Sequence, residues 1–338
     1  LTARTFTARA AVREQVPLLV GLVGPSGSGK TFSALRMASG IQAVTGGEIF
    51  FIDTEARRAL HYAEQFKFQH VEFGAPFGSL DYLAAIAHCV SEKAGVVVVD
   101  SMSHEHEGPG GLLDAHETEL TRMAGQDYGK RERMQMLAWQ KPKAARRQLL
   151  NGIVQLGVSC IMCFRAGEKT KPMKDPKDGK TKPVDMGFTP IAGPEFVYEM
   201  TMSALLHPRS DGVPTWNSEH PGERMAMKLP GQFRDMFGGK EPLSEKHGKL
   251  LAEWARGGVP AAERAKPAIP GMTSGSSLLT LEQRTEMAIN ALRSAESPEA
   301  FEAAWSKCAK LRAELDSKDP DRLAELEYVR AEREEAFA

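Results

Sequence analysis

Gly24-Pro25-Ser26-Gly27-Ser28-Gly29-Lys30-Thr31 decides the fold, because it fits G-x-x-x-x-G-K-[ST] at every position. Ahead of it, Pro17–Val23 (PLLVGLV) is a short apolar run suited to a buried strand; behind it, Lys30–Val44 has helix-forming residues at apolar spacing. Glycines 24, 27 and 29 let the backbone curl until successive amides face one anion, and the helix N-terminus adds partial positive charge. Lys30 can then reach the outer phosphates of a nucleotide, and the Thr31 hydroxyl can ligate Mg²⁺. Gly24, Pro25, Ser26, Gly27, Ser28, Gly29, Lys30 and Thr31 are together the candidate nucleotide-binding loop.

Outward from this loop, strands and helices alternate. Glu48–Ile52, Gly95–Val99 and Val158–Phe164 read as buried strands, and Thr201–His207, Val213–Trp216 and Met225–Leu229 as later ones. Ala56–Phe66, Ser79–Lys93, most of Arg131–Leu156 (with Pro142 at a break or a first turn) and Ser244–Arg256, capped by Ser244, read as helices. The alternation predicts an α/β fold, a mainly parallel sheet flanked by helices. Gly257–Ser277 is rich in Gly, Pro, Ala and Ser without periodic apolar signal, which predicts a linker. The expected organisation is a core at 1–256, a linker at 257–279 and a C-terminal helical segment at 280–338 of two or three amphipathic helices, broken at Ser297-Pro298 and Asp319-Pro320. That segment carries 14 acidic and 9 basic residues from Leu281 onward.

Val96-Val97-Val98-Val99-Asp100 has the form of a Walker B strand, whose terminal carboxylate serves Mg²⁺. Hydrolysis also needs a carboxylate to orient water. Glu55, just beyond Ile49–Asp53, and Glu105, in Ser101–Glu107, are both candidates, and spacing does not choose between them.

Phe51-Ile52-Asp53-Thr54-Glu55 with Ala59–Ala63, and Val98-Val99-Asp100-Ser101, resemble the RecA-type recombinase core. The stretches GPSGSGKT (24–31), DSMSHEHEG (100–108), LAWQKPKAARR (137–147) and GPEFVYEMT (193–201) are similar to phage-encoded RecA-like ATPases of the single-strand annealing type, over roughly residues 10–256. The resemblance implies a RecA-like P-loop ATPase with ATP and Mg²⁺ as cofactors. It also implies Glu55 as the water-activating base with Glu105 in support, single-stranded DNA as partner, and a homo-oligomer, ring or filament, that completes the nucleotide site between subunits. Where that family places a polar amide sensing the terminal phosphate, this sequence has Arg165, a candidate phosphate contact.

Gly167–Pro183 follows the strand ending at Phe164, where RecA-like proteins carry a DNA-binding loop. It holds six lysines, Lys169, Lys171, Lys174, Lys177, Lys180 and Lys182, against three acids. Its Gly and Pro content predicts an unpacked loop whose lysines neutralise nucleic-acid phosphates. A second basic group, Lys130, Arg131, Arg133, Lys141, Lys143, Arg146 and Arg147, has Tyr128 and Trp139 interleaved, a pattern that suits stacked bases on a single strand.

The remaining composition excludes more than it assigns. Across 338 residues the net charge is −1, with 42% hydrophobic and 26% charged residues, so no global excess of positive charge argues for nucleic acid. Apolar runs such as Ile49–Ile52 and Val96–Val99 are far too short to span a bilayer. Four cysteines argue against a disulfide scaffold. Cys160 and Cys163 lie on an apolar strand without a second such pair, and His104–Glu107 has no established metal spacing. With no leader-like pattern in view, the expected location is cytoplasmic, a bacterial host's cytosol if the chain is phage-encoded. Two rival readings keep the phosphate loop: a guanylate-kinase-like phosphotransferase, which a Lys-rich, Arg-poor loop fits poorly, and a nucleotide-switched loading protein with little turnover.

Overall fold

The computed structural model describes residues 15–174, 179–257, 281–295 and 297–337. It divides into two compact units, 1–267 and 268–338, each taken by itself here. Most of the expected linker, and Lys177 of the lysine-rich stretch, lie outside the described residues.

The first unit is built on β1 (Leu19–Gly24), β2 (Glu48–Asp53), β3 (Gln69–Glu72), β4 (Ala94–Asp100), β5 (Ser159–Lys174), β6 (Thr181–Pro190) and β7 (Met202–Leu205). The sheet runs β3-β2-β4-β5-β1-β7, with every pairing along that path parallel. This is the α/β class expected of the sequence. β5 lies between the strand that enters the phosphate loop and the strand that ends in Asp100, so its carboxyl end opens between them.

Alternation decides the packing. Val20, Leu22, Phe51, Val96, Val98 and Ile161 point into one buried cluster, which also takes in helix α1 (Lys30–Thr45). Helix α2 (Ser79–Ser91) packs on β2 and β4. A helical excursion follows β4: α3 (His104–Glu107), α4 (Leu112–Ala124), α5 (Tyr128–Met134) and α6 (Gln140–Leu156), the last with Pro142 in its first turn and packed against α2. Short helices α7 (Glu195–Glu199), α8 (Pro221–Ala226) and α9 (Arg234–Phe237) lead to α10 (Glu245–Arg256), where the Ser244 N–H donates to His247 Nδ1 at 3.1 Å in a capping box.

The structure corrects four local expectations. Ala56–Phe66 is no helix but a single 3₁₀ turn, Arg58–Tyr62, because Ala56 and Arg57 adopt left-handed backbone (φ 55° and 66°). Val213–Trp216 contributes one isolated bridge, Thr215 to Leu205, since Pro214 has no amide to donate. Met225 and Ala226 finish α8, which starts on Pro221, and only Lys228 bridges to Ser203. Gly167–Pro183 is not an open loop: β5 continues to Lys174 and β6 returns antiparallel from Thr181. The first unit's described residues and those of the second contain no helix long and apolar enough to cross a membrane.

The second unit contains α11 (Leu281–Arg293), α12 (Pro298–Lys307), α13 (Ala309–Lys318) and α14 (Pro320–Phe337). The breaks fall at the two expected prolines and additionally at Cys308, giving four helices among the described residues rather than two or three. Leu292, Phe301, Trp305, Leu315, Leu326 and Val329 form its own core. The Trp305 ring lies under two guanidinium groups, Arg312 at 4.1 Å and Arg330 at 4.6 Å.

The phosphate-loop helix is held from behind by α10. A β-carbon at Gly40 would overlap the Glu245 carbonyl, and one at Gly248 would overlap the Met37 carbonyl, so the two backbones touch directly. Arg36 locks the crossing with a forked contact to Glu245, Nη2 to Oε2 at 2.7 Å. Gly248→Ala is therefore expected to destabilise the protein by about 1–3 kcal/mol through overpacking. Urea denaturation with an unchanged midpoint would sink this reading of the contact.

Candidate nucleotide-binding site

β1 stops at Gly24, and Gly27 and Gly29 take positive φ (75° and 86°), conformations in which a side chain is strained. Nothing lies within 4 Å of where a Gly27 β-carbon would sit, so the curl is open at that glycine. The 16-residue α1 begins without a side-chain cap and without an acid in its first turn. Its leading amides thus lack side-chain acceptors from the chain. Ser28 Oγ is buried and also without a partner. An open curl, uncapped amides and an orphan hydroxyl fit a phosphate group.

Lys30 Nζ donates to the carbonyls of Gly24 (2.8 Å) and Pro25 (2.7 Å), folding its ammonium over the loop it belongs to. Burial pulls its pKa below the usual lysine value, while nearby Asp100 and Glu55 oppose the shift. Thr31 Oγ1 donates to Asp100 Oδ2 at 2.6 Å, so the two expected Mg²⁺ ligands already meet. Asp100 is buried, and that burial raises its carboxyl pKa; the Thr31 hydroxyl and the Lys30 charge pull the other way.

Glu55 reaches the same place from β2. Asp53, 2% exposed, accepts from the Glu55 amide (2.7 Å), the Ala59 amide (3.0 Å) and His70 Nε2 (3.1 Å). This turn folds the chain back over the sheet's carboxyl end. Thr54 stitches the turn to β4: its amide donates to the Asp100 carbonyl (2.9 Å), and its hydroxyl accepts from the Ser101 amide (2.7 Å). Glu55, Lys30, Thr31, Asp100 and Arg165 line one cleft of about 630 Å³. Arg165 contacts Glu55 directly, Nη2 to Oε1 at 2.6 Å.

Glu105 does not join them. It is fully buried, accepts from Ser79 Oγ (2.6 Å), and takes a forked contact from Arg146 (3.1 and 2.6 Å). Arg146 in turn is 5% exposed, lies 3.0 Å from His106 Nδ1 and stacks over Phe196. This corrects two expectations with one cause. Each charge neutralises the other inside the protein, so Glu105 does not face the cleft and Arg146 does not face solvent. The carboxylate of that loop which does line the cleft is Glu107.

The lysine-rich stretch stands at the same end of the sheet. Lys169, Lys171, Lys174, Lys180 and Lys182 are exposed along the β5–β6 hairpin. Met173 opposes Lys182, and Lys171 opposes Val184, so Lys171 and Lys182 share one face while Lys174 points to the other. Buried Glu223 buttresses the hairpin's base, accepting from the Phe188 amide (3.0 Å) and Ser218 Oγ (2.6 Å). Of the second basic group, Arg131 is tied to Glu117, Thr121 and Gly125, whereas Arg147, Lys141 and Lys143 are exposed. Trp139 stacks on His116 with centroids 3.9 Å apart, and Tyr128 stays 82% exposed.

Sequence reasoning missed the cleft's aromatic wall. Phe32, directly after the loop, packs against Tyr62 (centroids 5.8 Å), and both line the cleft with His61. The aromatic residue after Lys30-Thr31 was its visible signal.

Neither a protein-family model nor a curated protein matches the chain. Among solved structures, it is similar to a KaiC-like protein from the hyperthermophilic archaeon Pyrococcus horikoshii OT3. The identity is 16% over 52% of this chain and 80% of that one, with a TM-score of 0.25. At that distance the fold reading rests on the chain's own strand order and loop geometry.

Because Asp100's folded pKa is raised, its neutral form is the one folding favours. That contribution is complete below the unfolded carboxylate range and is lost as pH climbs through the raised value, so near pH 7 the charge is a net cost. Asp100→Asn keeps an acceptor for Thr31 and removes the charge. It should melt roughly 2–4 °C higher than the parent at pH 7 without nucleotide. The advantage should shrink towards pH 4, and Mg²⁺ dependence of nucleotide binding should fall. A variant melting no higher at pH 7 contradicts the burial account.

Proposed function

We propose that this protein is a Mg²⁺-dependent ATPase of RecA-like type, acting as a homo-oligomer on single-stranded DNA in phage-type recombination or strand annealing in a host's cytoplasm. The observation that carries the reading is that Glu55, delivered by β2, shares one cleft with Lys30, Thr31 and Asp100. Those are the parts phosphoryl transfer to water needs: an anion cradle, a cation to neutralise outer phosphates, hydroxyl and carboxylate ligands for a metal, and a carboxylate to orient the nucleophile.

In this reading the amides of the loop and the Lys30 ammonium bind the phosphate tail, Lys30 exchanging its two carbonyl partners for phosphate oxygens. Thr31 and Asp100 would hold Mg²⁺, which when bound draws charge off the phosphates. Glu55 accepts a hydrogen bond from the attacking water, fixes it in line with the terminal phosphorus and takes its proton as the bond forms. Phe32 and Tyr62 wall the cleft beside the loop and limit water access.

DNA enters the proposal through the hairpin. Its exposed lysines on both faces suit backbone phosphates rather than base edges, which fits binding without sequence preference. Arg147, Lys141 and Lys143, with exposed Tyr128, extend the same chemistry onto the helical excursion.

Phosphate release from ATP, followed with and without single-stranded DNA, is the first test; DNA-stimulated release is expected. Transfer of phosphate to a nucleoside monophosphate would favour the kinase reading, and binding with negligible turnover the switch. Lys30→Ala should abolish nucleotide binding. Glu55→Gln should bind nucleotide yet lose about 10²-fold or more in turnover; normal turnover in that variant removes the assigned base. Single-strand affinity should fall steeply with salt, and Lys169→Ala with Lys171→Ala should flatten the log–log slope by about two. An unchanged slope takes the hairpin out of the DNA interface.

A further inference from the structure

One oxygen of the Glu55 carboxylate is gripped by Arg165, and the other has a long contact with Arg58. Oε1 accepts from Arg165 Nε (2.9 Å) and Nη2 (2.6 Å), and Oε2 lies 3.4 Å from Arg58 Nη1. A carboxylate that receives a proton from water has to present a free, basic oxygen, and a forked guanidinium contact occupies the one it grips. As the structure stands, Arg165 occupies one oxygen of the group assigned to activate water and sets where its carboxylate sits.

The Arg165 backbone is fixed on three sides. Its amide donates to Ser103 Oγ (2.8 Å), its carbonyl accepts from the Ile191 amide (2.8 Å), and in the sheet it pairs with Gly24, the first residue of the phosphate loop. The side chain is the part left to move. It is 39% exposed, open towards the cleft, whereas the Glu55 side chain is 13% exposed. Arg58, 70% exposed, adds little to the hold.

We infer that the Arg165–Glu55 ion pair is a latch. It keeps Glu55 out of action until a triphosphate tail enters the cleft and draws the Arg165 guanidinium from the carboxylate to the outermost phosphate. This rests on the ATPase reading above. A ligand shifts a two-state contact only by its differential affinity for the two states. A triphosphate gains a guanidinium contact when the latch opens; a diphosphate, shorter by one charged group, leaves it shut. Opening therefore subtracts from triphosphate affinity and not from diphosphate affinity. Deleting the charge on Glu55 should return what was subtracted, provided Arg165 is present to benefit.

The test is a double-mutant cycle read by calorimetric titration, using a non-hydrolysable ATP analogue and ADP with Mg²⁺. The full-length proteins are wild type, Glu55→Gln, Arg165→Ala and both together. Glu55→Gln should bind the triphosphate about fivefold more tightly with ADP unchanged within about twofold, the size expected for one partly exposed forked pair. In the Arg165→Ala background, Glu55→Gln should give no gain. Arg165→Lys, which keeps the charge but not the fork, should show a gain between the two and serves if Arg165→Ala does not fold. Equal tightening towards both nucleotides, or a gain that survives without Arg165, overturns the latch and points to simple charge removal near the phosphates. If wild type binds neither nucleotide, the ATPase reading itself fails; if it binds both and the cycle is flat, only the latch fails.

Discussion

A helix that starts without a cap is the constraint on which the site depends. α1 enters from a left-handed glycine, with no side chain over its first amides and no acid in its first turn. An end of this kind leaves its first amides to water or to the anion of a ligand. The surroundings are built to keep that end in place. Gly40 and Gly248 let α10 press on the back of the helix, and the Arg36–Glu245 fork fixes the crossing. At the front, Lys30 bonds to its own loop carbonyls and Thr31 to Asp100. The same short segment thereby ties the end of β1 to the end of β4 at the start of the helix.

Strand order then determines which side chains can meet. β5 runs between β1 and β4, so residue 165 emerges opposite Gly24, beside the Asp100 strand end. β2 pairs with β4 on the far side and delivers Glu55 over the same edge. Three strand ends converge because all run parallel, and in such sheets the carboxyl edge is where loops can gather around a ligand. The hairpin leaves from the same edge, since β5 simply continues past Arg165. Arg165 of the cleft and Lys169, Lys171 and Lys174 of the hairpin thus lie on one continuous strand.

Much of this was legible in the sequence. The phosphate loop, the valine run ending in Asp100 and the order of buried strands each have a local chemical signature, glycine spacing or β-branched continuity, that survives without tertiary context. Elsewhere local signals misled for identifiable reasons. Ala56–Phe66 has helix-forming composition, yet Asp53 captures the Glu55 and Ala59 amides and turns the chain instead. The Gly- and Pro-containing lysine stretch reads as loop by composition, but each residue from Thr170 to Lys174 finds a partner across the hairpin, and pairing of that kind is not a property of either strand alone. β3 is four residues long and only half-buried, too brief for alternation to register.

The hardest distinction was between two glutamates, and the structure places their arginine partners at different depths. Glu105 and Arg146 form a pair whose side chains are 0% and 6% exposed. Separating them would leave an uncompensated charge in the interior, which costs about 3–5 kcal/mol, so that pair is architectural and joins α3 to α6 near α7. Glu55 meets Arg165 through one oxygen at the cleft's edge, where water can replace either partner and separation costs about 1 kcal/mol or less. Sequence gives both carboxylates similar standing, each just beyond a strand, because it does not reveal how deep the partner lies. Depth is what sets one acid into the interior of the fold and leaves the other at the edge of the cleft.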